Sequence, residues 1–112
     1  MDYNKLQSID PPEFTLNLEP FRSKWESFGW HVVELDGHNH EELTNTLQAD
    51  NSSIGKPLCI IAHTIKGKGV SFMENNNLWH YRSPQEREYE DARKELEDGI
   101  SSVSYTHLTL PT

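Results

Sequence analysis

Apolar positions along this chain fall in short clusters whose spacing alternates between helical and strand-like periods. Phe21, Trp25 and Phe28 lie at i, i+4 and i+7, which predicts one apolar helical stripe facing a core. Pro20 suits the first position of that helix, where its missing N–H costs nothing, and Gly29 suits its end. Residues 30–35 (WHVVEL) read as a strand closed by the turn formers Asp36 and Gly37. A second helix is expected over residues 40–48, with Asn39 as N-cap, Glu41 and Glu42 at the positive end of the dipole, and Leu43 and Leu47 facing inward.

After Pro57, the continuous run Leu58, Cys59, Ile60, Ile61, Ala62 predicts a strand buried on both faces of a parallel sheet. Strand, helix and strand in this order make a βαβ unit, so the fold class is α/β: a partial parallel sheet with flanking helices. Residues 1–12 are polar, end in Pro11 and Pro12, and read as a loop leaving a strand whose body lies upstream of Met1. Residues 65–82 form a long connection rich in Gly, Lys and Asn, and a loop of that length in a compact chain usually serves a function. Ser83, Pro84, Gln85 and Glu86 match a capping box with proline at N1, opening an acidic helix to about Asp98 with Tyr89, Ala92 and Leu96 on its apolar face.

Composition narrows the function classes. The 112 residues suffice for one small domain, and the 34% hydrophobic content makes its core thin. A net charge of −8 with scattered basic residues disfavours nonspecific binding to nucleic acid or anionic membranes. The single cysteine, Cys59, excludes an intramolecular disulfide and fits a reducing, cytoplasmic setting. No apolar stretch approaches the ~20 residues of a membrane span, and Met1 is followed by no basic and apolar leader.

In open α/β sheets, ligands bind beyond the carboxyl ends of the strands. Three segments are expected there: Asn4 to Gln7, then Asp36, Gly37 and His38, then the string His63-Thr64-Ile65-Lys66-Gly67-Lys68-Gly69. Lysines among glycines suit a phosphate, because backbone N–H groups and cationic side chains converge there. The string lacks the spacing of a P-loop or a dinucleotide fingerprint, so a solvated basic turn is an equal reading of it alone. His38 and His40 could suggest zinc, but nothing nearby completes four ligands, and a turn with a helix start explains them better.

The string from His63 to Asn76 (HTIKGKGVSFMENN), followed by Leu78, Trp79 and His80, resembles the transketolase family. So do Asp2-Tyr3-Asn4-Lys5-Leu6-Gln7 at the start, Phe28-Gly29-Trp30-His31-Val32, and Asp36-Gly37-His38, all in the family's order. The match covers roughly residues 1–98 and is most similar to the N-terminal subunits of transketolases split into two chains. The resemblance implies that residues 1–100 are the C-terminal half of the diphosphate-binding domain. It implies thiamine diphosphate and Mg²⁺ (or Ca²⁺ or Mn²⁺) as cofactors, with Asn4 binding the metal through its side-chain oxygen and Leu6 through its carbonyl. Asn4, Lys66 and His80 are then cofactor-binding residues, and His80 is also catalytic, in contact with the sugar.

The implied activity is transfer of a two-carbon ketol unit from a ketose phosphate to an aldose phosphate, as in the pentose phosphate pathway. The implied partner is a complementary pyrimidine-binding chain or domain, in a dimer or heterotetramer. The family's Gly-Asp-Gly motif and its activating glutamate are absent from these residues, so this chain alone is expected to be inactive. Two other readings remain: a related thiamine diphosphate enzyme such as 1-deoxy-D-xylulose-5-phosphate synthase, and a non-catalytic α/β assembly module. Residues 103–112 (VSYTHLTLPT) carry no charged side chain. They can be written in codons as GTC TCT TAT ACA CAT CTG ACG CTG CCG ACG, a string that resembles a transposase-adapter sequence read in frame. They are therefore expected to be a non-native tail after about Ser101, which the genomic sequence of the locus would test.

Overall fold

A computed structural model describes residues 1–7 and 16–109, the last nine of them as backbone only. The expected end of the first loop at Pro11 and Pro12 lies outside the described residues, as do the side chains of the tail. The chain divides into two compact units, Met1–Ile65 and Lys66–Thr112.

In the first unit, β1 (Asp2–Tyr3), β2 (His31–Asp36) and β3 (Leu58–His63) form a parallel sheet in the order β1-β3-β2. The register sets Tyr3 opposite His63, and Asp36 opposite the same residue from the other side. The α/β fold class is therefore as expected. The strand placed upstream of Met1 is instead partly present, because the Met1 carbonyl accepts the Ala62 N–H at 2.9 Å and continues the ladder. β3 departs from the expectation of burial on both faces. Cys59 and Ile61 alternate inward at 5% and 0% exposure, while Leu58, Ile60 and Ala62 are half-buried.

Two helices belong to this unit. α1 (Phe21–Ser27) begins one residue later than expected, with Pro20 as the extended N-cap residue. Phe21 packs with Val32, Cys59 and Ile61, and Tyr3, Leu18, Trp25 and Trp30 close around that core. Burying one such large apolar side chain contributes about 1.5–3 kcal/mol. Phe28 does not join it: it follows the helix and is 85% exposed, lining an apolar groove with Trp25 and Trp30. Gly29 ends the helix as expected, at φ 90 with its N–H on the Glu26 carbonyl.

α2 (His40–Gln48) has the expected bounds, and Asn39 caps it by accepting the Glu41 and Glu42 N–H groups at 3.1 Å each. Leu43 is half-buried, but Leu47, expected inward, is 70% exposed.

In the second unit, residues 66–76 fold back on themselves, with the Asn75 N–H on the Lys66 carbonyl at 2.9 Å. A 3₁₀ turn, Asn77–His80, follows, and then α3 (Arg87–Thr109). The expected capping box is not formed. Glu86 takes φ 40, in the left-handed region, and Arg82 holds Glu88 at 2.6 Å, so the helix opens at Arg87. α3 also runs past Asp98, since no proline interrupts it before Pro111. Ala92 is its buried contact at 7% exposure, with Tyr89 and Leu96 about half exposed. Among the described residues no helix is long and apolar enough to cross a membrane.

Candidate functional site

The carboxyl ends of the three strands converge at Tyr3, Asp36 and His63, and the segments leaving them carry the polar groups of the first unit. After β1 the chain makes a tight turn at Asn4, whose side-chain Oδ1 accepts the Leu6 N–H at 3.0 Å. Lys5 between them has φ 62, a left-handed conformation that disfavours a side chain with a Cβ. Asn4 and Leu6 are both half-buried. An amide oxygen has two lone pairs, so Asn4 keeps one acceptor site after this bond.

Lys5 is anchored across the sheet. Its ammonium lies 2.9 Å from His63 Nδ1 and 4.9 Å from the centre of the Tyr3 ring. His63 Nε2 in turn lies 2.9 Å from Glu34 Oε1, and Arg22 reaches Glu34 Oε2 at 3.2 Å and the Val32 carbonyl at 3.2 Å. The hydrogen bond from His63, and then that from Arg22, hold the Glu34 carboxyl below its usual range. Thr64 donates its hydroxyl to Asp2 beside this chain of contacts.

Asp36, Gly37 and His38 form the turn expected after β2, docked on the start of the next segment. The Gly37 N–H reaches the His63 carbonyl at 2.8 Å, and His38 Nε2 accepts the Ile65 N–H at 2.8 Å. A Cβ on Gly37 would lie 2.5 Å from Thr64 Cγ2, so glycine is required for this approach. His38 Nε2 is thus committed to backbone. Among the described residues no three His, Cys, Asp or Glu side chains cluster as metal ligands.

In the second unit, Lys66 is half-buried and Lys68 exposed, and among the described residues no carboxylate pairs with either ammonium. Two glycines of this string are required by the loop's own packing. Gly67 has φ 74, and a Cβ there would lie 2.6 Å from the Met73 carbonyl oxygen. Gly69, at φ 100, lies where a Cβ would meet Leu96 Cδ2 at 3.2 Å. Glu95 accepts both the N–H and the hydroxyl of Ser71 at 2.7 Å, which fixes the loop to α3 and lowers the Glu95 carboxyl from its usual range.

His80 ends the 3₁₀ turn, exposed, its ring edge-on to Tyr81 at 4.5 Å. Asn76 caps that turn through the Leu78 N–H, and Trp79 is held by the Phe72 carbonyl and by Arg82 over its ring at 5.0 Å. Asn4 and Leu6 therefore share one turn of the first unit, while Lys66 and His80 belong to the second. Sequence reasoning missed the partners of that first turn, Lys5, His63 and Glu34. Only the position of Lys5 between the two expected ligands hinted at them.

Comparison with known proteins bears on the whole chain. The family described as transketolase, thiamine diphosphate binding domain, matches residues 1–102. One of the subunits of the apulose-4-phosphate transketolase of Phocaeicola vulgatus is 37% identical over 103 residues, covering 92% of this chain and 37% of that protein. A 6-deoxy-6-sulfo-D-fructose transketolase subunit of a Clostridium species is 43% identical over 97 residues, covering 86% of this chain and 35% of that protein. Human transketolase is 31% identical over 111 residues, covering 99% of this chain and 17% of that enzyme. The chain thus spans about a third of the length of the first two relatives. The chain therefore belongs to the transketolase family, within its thiamine diphosphate binding domain.

Proposed function

We propose that this chain is part of an enzyme that transfers a two-carbon ketol unit between sugar phosphates with thiamine diphosphate and a divalent cation. The observation that carries the reading is the Asn4 turn, placed at the carboxyl end of β1 in a chain matched by the diphosphate-binding family. The Asn4 amide oxygen and the Leu6 carbonyl are neutral oxygen donors, which suit a hard cation such as Mg²⁺, Ca²⁺ or Mn²⁺ completed by phosphate oxygens. The donor set therefore fits the ion.

Lys66 brings positive charge to the diphosphate region. His80 donates to a diphosphate oxygen or exchanges protons with a sugar hydroxyl, as imidazole can do near neutral pH. When bound, the cofactor supplies the electron sink for breaking and remaking a C–C bond beside a carbonyl. The residues of this chain bind, orient and move protons. They are one share of the site, so the 112-residue chain alone is inactive, and a complementary pyrimidine-binding chain or domain supplies the rest. The names of two relatives, each a transketolase subunit, support a split enzyme, and their different sugars leave the sugar substrate open. The buried, free Cys59 is compatible with a reducing, cytoplasmic setting.

The test is ketol transfer by the full-length protein with its partner chain, using a ketose phosphate donor and an aldose phosphate acceptor. His80→Ala is expected to lower kcat/KM about 100-fold, the range of a lost proton-transfer group. Absence of transfer by the wild-type protein, or full activity in the variant, would contradict the reading.

A further inference from the structure

We infer that His63 is a positioning residue for the cation-binding turn, acting through Lys5. The inference rests on the proposed role of Asn4 and Leu6. Lys5 is the left-handed residue between them, at φ 62, and a lysine gains nothing locally from that conformation. What it gains is its ammonium on His63 Nδ1 at 2.9 Å and over the Tyr3 ring at 4.9 Å. His63 therefore holds Lys5 in the conformation that lets Asn4 Oδ1 reach the Leu6 N–H.

The neighbours of His63 fix its tautomer. A lysine ammonium is a donor only, so Nδ1 accepts, and the ring proton sits on Nε2, directed at Glu34 Oε1 at 2.9 Å. Glu34 is held in turn by Arg22 at 3.2 Å. The chain Arg22–Glu34–His63–Lys5 links α1, β2 and β3 to the turn after β1, all within the first unit. Outer groups that hydrogen-bond to the surroundings of metal ligands fix the geometry of those ligands, and Lys5 lies between the two proposed ones. None of these side chains is itself a proposed ligand.

Mn²⁺ binding in the presence of thiamine diphosphate, read by electron paramagnetic resonance of free Mn²⁺ on the full-length protein, tests this. His63→Leu and Lys5→Met are each expected to weaken Mn²⁺ binding about tenfold, the low end for such outer residues. The double variant should be no weaker than either single one, because both break one link. His63→Gln should stay within about twofold, since its amide oxygen accepts from Lys5 and its NH₂ donates to Glu34. Lys5 is exposed, so Lys5→Met leaves the core intact even should a His63 variant fold poorly. Wild-type affinity in folded Lys5→Met or His63→Leu protein, or additive losses in the double variant, would overturn the inference. Asn4→Ala separates the two levels. If it loses Mn²⁺ binding while His63→Leu keeps it, only the role of His63 fails. If Asn4→Ala binds as wild type, the cation reading fails and takes this inference with it.

Discussion

Glu34 shows how a single carboxylate ties this fold together. It receives His63 and Arg22 on separate oxygens, and both contacts favour the charged form. Because its folded-state pKa is depressed, its stabilisation is present above the unfolded carboxylate value, about 4.3, and is lost as pH falls through the lower folded value. The urea midpoint of the full-length protein should therefore decline as pH drops from about 5 to about 3, with a shallower decline in Glu34→Gln. The partners are 35–49% exposed, so salt should weaken the effect. An unchanged pH profile in Glu34→Gln would show that the contacts contribute nothing.

Elements were legible in the sequence where a local signal sufficed. α2 was, because Asn39 caps it and Glu41 and Glu42 favour its start, whatever packs nearby. β2 and β3 were, because β-branched runs bounded by turn formers admit few other conformations. Periodicity failed where burial depends on what lies across from a residue: Phe28 and Leu47 fit helical stripes yet are exposed. The capping box failed where the Arg82–Glu88 pair, six residues apart, anchors the start of α3 instead. The 66–76 loop was legible as a loop, but not its internal packing. That packing makes a contrast between two glycines with φ 74 and φ 69. Gly55→Ala, with nothing within 4 Å of the added Cβ, should cost about 1 kcal/mol of backbone strain. Gly67→Ala, 2.6 Å from the Met73 carbonyl oxygen, should cost about 3 kcal/mol. Urea unfolding of the two variants checks this, and equal losses would refute the close approach.

At the scale of the whole molecule, family membership was legible because several strings of ordinary residues recur in one order, and the match over residues 1–102 bears it out. The site residues were legible only as types at positions, since the contacts joining Lys5, His63 and Glu34 span up to 58 residues of sequence. The central claim is that the Asn4 turn holds the cation that accompanies thiamine diphosphate. Calorimetric titration of thiamine diphosphate into the full-length protein, with Mg²⁺ and with a chelator, tests it most directly. The account predicts Mg²⁺-dependent binding that Asn4→Ala weakens at least tenfold, by about 1.4 kcal/mol or more. Folded wild-type protein that binds no thiamine diphosphate, or binding indifferent to both Mg²⁺ and Asn4, would contradict it.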